Sequence, residues 1–126
     1  MSQLQVEIMT LTQGYRMIVL QPQGPLDLQG GKVLKEQLAD LVPQTQDLWA
    51  IDFAKVDFMD SNGLVALVTG LRAARTSGCR LVLCNVQAPI RIIFELTQLD
   101  EVFEIFESYD AVLTTVEALV LADSRL

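Results

Sequence analysis

The chain contains no histidine and only two cysteines among its 126 residues. Without an imidazole, a Ser-His pair has no base and a zinc site loses its commonest nitrogen ligand. Cys79 and Cys84 stand five apart in CRLVLC. In a strand, side chains five positions apart point to opposite faces. The two thiols therefore suit neither a mutual disulfide nor a shared metal, and they read as small core residues. Long apolar runs are also missing: none reaches the ~20 residues needed to span a bilayer. The opening MSQLQVEIMTL has no basic stretch ahead of a hydrophobic one, so a secretory signal is not expected. Basic residues are few. Nine Lys and Arg against sixteen Asp and Glu give a net charge of −7 and a pI near 4.4. They are scattered rather than clustered, which argues against direct contact with nucleic acid or an anionic membrane. A cytoplasmic location is the expectation.

What remains is a globular composition, 51% hydrophobic and 20% charged, in one domain expected to span residues 1–126. Leu4, Val6 and Ile8 alternate with polar neighbours, and so do Tyr15, Met17 and Val19. Thr12, Gln13 and Gly14 between them predict an antiparallel hairpin. GPLDLQGG, residues 24 to 31, reads as a loop by its turn residues. Leu34, Leu38, Leu41 and Val42 then share a helical stripe that begins at Lys32 and is closed by Pro43. LWAIDF, residues 48 to 53, reads as a strand covered on both faces. Leu64, Leu67, Val68 and Leu71 predict a helix that finishes near Ser77 and Gly78. RLVLCNV is a further buried strand, and Ala88-Pro89 opens a short helix through Leu96. VFEIF is a short strand, and Val112, Val116, Leu119 and Val120 predict a final amphipathic helix. The order ββαβαβαβα implies an α/β fold: a mainly parallel sheet with helices packed on it and an antiparallel edge hairpin. Trp49, Phe94 and the pair Phe103 and Phe106 belong to the expected core. Phe58 and Met59 are candidates for an apolar docking patch.

The chemistry concentrates in FMDSNGL, residues 58 to 64, which joins a strand to a helix. Asp60 or Ser61 as helix cap accounts for one polar residue. Three in a row, in a loop that follows a parallel strand, exceed what capping needs. Ser61 at a helix N-terminus is a place where a phosphate would be tolerated, because the free N–H groups and the macrodipole favour an anion. Catalysis is not expected. No base is available to a nucleophilic serine, and there is no GxxxxGK[ST] phosphate loop.

IDFAKVDFMDSNGLVALV resembles the signature of the STAS domain, specifically the bacterial anti-sigma factor antagonists. GPLD, residues 24 to 27, resembles the family's Gly-x-Leu/Ile-Asp segment, and PIRIIFELTQLDEVFEIFES resembles its later helix and short strand. The resemblance runs through essentially the whole chain in the family's order. It implies a protein that, unphosphorylated, binds an anti-sigma factor which is also a serine kinase, and so releases a sigma factor. Phosphorylation of the serine after the motif aspartate ends the complex, and a metal-dependent serine phosphatase restores it. Carried over, Ser61 is the phosphoacceptor. The partner-binding set is Asp27, Asp60, Ser61, Asn62, Gly63 and Leu64, with no catalytic residue, metal or cofactor. Asn62 replaces a common second hydroxyl, Gly30 stands where some members carry Ser or Thr, and Gln98 replaces a frequent glycine. The alternative reading is a STAS-type module that binds a ligand, nucleotide or lipid, or serves as a scaffold, without controlling a sigma factor.

Overall fold

The computed structural model describes residues 3–10, 15–44 and 46–124. Five strands form one sheet in the order β1 (Gln3–Thr10), β2 (Arg16–Gln23), β3 (Leu48–Asp52), β4 (Arg80–Cys84), β5 (Glu104–Phe106). β1 runs antiparallel to β2, and every later neighbour is parallel. The turn residues expected to join the first two strands, Thr12 to Gly14, lie outside the described residues. Helices α1 (Leu28–Leu41), α2 (Ser61–Thr76), α3 (Ala88–Leu96) and α4 (Tyr109–Ser124) supply the crossovers and the chain's last element. The expected order of strands and helices is the observed one.

Period-two alternation assigns the two faces of the sheet. Ile18, Leu20, Trp49, Ile51, Leu81 and Leu83 point to one face, where α1, α2 and α3 lay Leu34, Leu38, Leu67, Leu71, Ile90 and Phe94 against them. Met17, Val19, Leu48, Ala50, Val82 and Cys84 point to the other, which α4 covers with Val112, Val116 and Val120. Each such side chain stabilises the fold by about 1.5–3 kcal/mol when fully buried. Cys79 and Cys84 fall on opposite faces as expected, and burial pushes both thiols up to about 12.

Several sequence expectations need correction. Met17 and Val19 were only half of the buried set on β2: Ile18 and Leu20 are equally buried, because a parallel neighbour and helices on both faces leave this strand no wet side. Leu119 is 40% exposed, on the margin of the i, i+4 stripe of Val112, Val116 and Val120, about 60° around α4 from its middle. Most importantly, α1 starts at Leu28, so Asp27 to Gly31 is a capped helix start rather than a loop. Asp27 supplies a strong cap, and packing against α2 outweighs the low helix propensity of two glycines. A 3₁₀ turn at Leu99–Glu101 follows Gln98, whose φ of 60° is left-handed. Gln98 thus takes the conformation that a glycine would favour there.

Candidate functional site

Two strand-to-helix connections meet at one end of the sheet, beyond the carboxyl ends of β2 and β3. Leu26 and Met59 form an isolated parallel bridge. The Leu26 N–H donates to the Phe58 carbonyl at 2.9 Å, and the Asp60 N–H donates to the Leu26 carbonyl at 3.2 Å. This short zipper sets the first turns of α1 and α2 side by side.

Each turn is capped by an aspartate with extended backbone. Asp27 Oδ1 accepts from the Gly30 N–H at 2.9 Å. Asp60 Oδ1 accepts from Asn62 N–H at 2.8 Å and Gly63 N–H at 3.3 Å. The cap is therefore Asp60, and Ser61 is the first residue inside the helix. Ser61 is exposed, and its hydroxyl has no hydrogen-bond partner among the described residues. Asn62 is exposed beside it, whereas Leu64 is only partly buried against the core.

Gly63 is where the two turns touch. A Cβ there would lie 2.2 Å from the Leu26 carbonyl oxygen, 2.8 Å from Leu26 Cβ and 2.9 Å from Met59 Cγ. No side chain fits against a backbone oxygen at that distance. One helical turn from the mouth of α1, Gly31 does the same for the approach of the two helices: a Cβ there would stand 3.0 Å from the Asn62 carbonyl oxygen.

The structure brings Asp27, Asp60, Ser61 and Asn62 to one surface, with Gly63 buried beneath it where the two turns touch and Leu64 partly buried. It separates the two candidate docking residues. Phe58 is 51% exposed, but Met59 is buried at 4% because the bridge to Leu26 turns its side chain inward. One residue beneath the site went unread in the sequence. Asp52, at the end of β3, accepts from Gln21 Nε2 at 3.1 Å, Asn85 Nδ2 at 2.9 Å and the Ala54 N–H at 2.9 Å. It ties the ends of β2, β3 and β4 together under the two connections. The lone acid closing LWAID was its only sequence signal.

Among the described residues there is no group of three or more His, Cys, Asp or Glu side chains able to hold a metal ion. Nor is any helix there long and apolar enough to cross a membrane.

Comparison with known families matches residues 9–112 to the STAS domain model. The chain belongs to the STAS domain family. A curated relative, the anti-sigma-B factor antagonist of Bacillus subtilis strain 168, is 32% identical over 82 residues, which cover 65% of this chain and 74% of the relative. Among solved structures, a sulfate transporter family protein from Wolinella succinogenes superposes with a TM-score of 0.75 at 20% identity, over 82% of this STAS domain's chain and 87% of its own. The Bacillus anti-sigma factor antagonist SpoIIAA, in its unphosphorylated form, gives 0.71 at 18% identity, over 91% and 97%. It is also solved in a phosphorylated form, with a TM-score of 0.64 at 18% identity, over 88% and 99%. At these identities the structural matches speak for the STAS fold alone.

Proposed function

We propose that this STAS domain is a cytoplasmic anti-sigma factor antagonist switched by reversible phosphorylation of Ser61. Unphosphorylated, it docks on an anti-sigma factor that is also a serine kinase and so frees a sigma factor. Phosphorylated, it is released, until a metal-dependent serine phosphatase restores the hydroxyl. The observation that supports this most is the placement of Ser61: an exposed, unengaged alcohol immediately after the capping Asp60. It stands in a chain 32% identical to a protein named as an anti-sigma factor antagonist. On this reading the domain is a substrate of enzymes rather than one itself.

The cap also explains how a phosphate would act. Asp60 already accepts from the second and third amides of α2. A phosphate on Ser61 therefore stays outward, held by the field of the helix end rather than by those donors. It adds roughly −1.5 to −2 charge beside Asp60 and Asp27, on a chain already at −7. The fold persists while the docking surface becomes more negative and bulkier.

The test is incubation with ATP and the partner kinase followed by site mapping by mass spectrometry. Phosphate on Ser61, abolished in Ser61→Ala with partner binding retained, is the expected result. Uptake by Ser61→Ala equal to the parent places the acceptor elsewhere. The second reading is a STAS module that binds a ligand or acts as a scaffold without controlling a sigma factor, since one fold can carry several functions. Saturable binding of nucleotide or acidic lipid that ignores Ser61→Ala would select it.

A further inference from the structure

An open groove of about 460 Å³ runs between α1 and α2 and begins one residue past Ser61. Leu28, Gly31, Lys32 and Lys35 line one wall, with the i, i+3, i+4, i+7 spacing of a single helix face. Asn62 and Val65, three apart, line the other. This is not the core stripe of α1, which continues through Leu34, Leu38 and Leu41. Gly31 belongs to both, and its missing side chain makes the groove's floor.

Two features of this groove bear on what it could hold. Leu28 is 70% exposed and Val65 55% exposed, so one apolar side chain stands uncovered on each wall. The chain has three lysines in all, and Lys32 and Lys35 are two of them. Neither forms an ion pair: the two salt bridges among the described residues belong to Arg80 and Arg91. Glu36 is the single acid in the lining. On a protein of net charge −7, two lysines without an ion pair thus stand beside two bare apolar side chains in one groove.

We propose that this groove receives an acidic amphipathic segment of the partner protein. Its apolar side chains would cover Leu28 and Val65, and its carboxylates would face Lys32 and Lys35. Helix-in-groove recognition works this way, with apolar anchors giving affinity and flanking charges giving register and choice of partner. The inference rests on the proposed function for its biological meaning, since it names what the antagonist's partner presents. It also gives the switch a direction. A phosphate on Ser61 sits at the groove's rim, within about one Debye length of an occupant's carboxylates, and repels them.

The test uses the full chain, labelled with 15N, and two synthetic helical peptides of about 15 residues sharing one leucine stripe. One peptide carries Glu beside the stripe and the other Lys. The Glu peptide is expected to shift amides of residues 28–36 and 62–65 and to bind at least about tenfold more tightly than the Lys peptide. Lys32→Glu/Lys35→Glu, two exposed substitutions that leave the core intact, should reverse the preference. Equal binding of the two peptides, no binding of either, or shifts centred on Ile92 and Leu96 of α3 would overturn the proposal. Phosphorylation of Ser61 is scored separately by mass spectrometry, so a failed groove and a failed switch give different results.

Discussion

The mouths of α1 and α2 are near copies. Asp27-Leu28-Gln29-Gly30 and Asp60-Ser61-Asn62-Gly63 share the same spacing, an aspartate cap followed three residues later by a glycine whose N–H it receives. They lie side by side, tied by the bridge between Leu26 and Met59. The difference is at the first helical position: α1 exposes a leucine and α2 a hydroxyl. Capping thus explains what the turns have in common and leaves Ser61 unexplained. The aspartates make the scaffold, and the serine is free for something else.

The most damaging way to break this pairing is Gly63→Ala. A Cβ 2.2 Å from a backbone oxygen forces the two turns apart, and the expected cost is about 3 kcal/mol, read as a lower urea midpoint. Next come the caps. Asp60→Ala and Asp27→Ala should each lose about 1 kcal/mol. If the two mouths are structurally equivalent, the losses will be similar, and a clear inequality in denaturation would show that they are not. Ser61→Ala should change stability by less than about 0.5 kcal/mol, as for an exposed residue without partners. Thiol labelling gives the smallest expected effect. Burial pushes Cys79 and Cys84 up to about 12, so each stays a thiol at neutral pH. The stability this contributes is present below the unfolded value near 9 and is lost only as pH rises toward 12. Both should remain unreactive to a disulfide reagent at pH 8, with or without phosphate on Ser61.

Much of this was legible in the sequence because periodicity and punctuation agreed. Pro43, Gly78 and Ala88-Pro89 marked helix boundaries to within a residue or two, and the unbroken apolar run at 48 to 53 marked a strand covered on both sides. The start of α1 was obscured because Gly30 and Gly31 look like loop residues in isolation. Gly30 donates to Asp27 within the same turn, whereas the role of Gly31 depends on α2, a non-local contact that composition does not encode. The shared Asp-x-x-Gly spacing at 27 and 60 was the available signal. Met59 could not be separated from Phe58 by residue type, since only the bridge to Leu26 decides which of the two turns inward. Asp52 was hidden for a similar reason: its three donors come from Gln21, Ala54 and Asn85, two of them more than thirty residues away.

On the proposed function, phosphate on Ser61 alters a surface and leaves the scaffold alone. Amide chemical shifts of the chain carrying phosphoserine at position 61, set against those of the unmodified chain, test it most directly. Changes confined to the two helix mouths and the groove between α1 and α2 are expected, with the signals of β3 and β4 unmoved. Changes spreading through Trp49, Ile51, Leu81 and Leu83, or loss of the α2 signals, would contradict it.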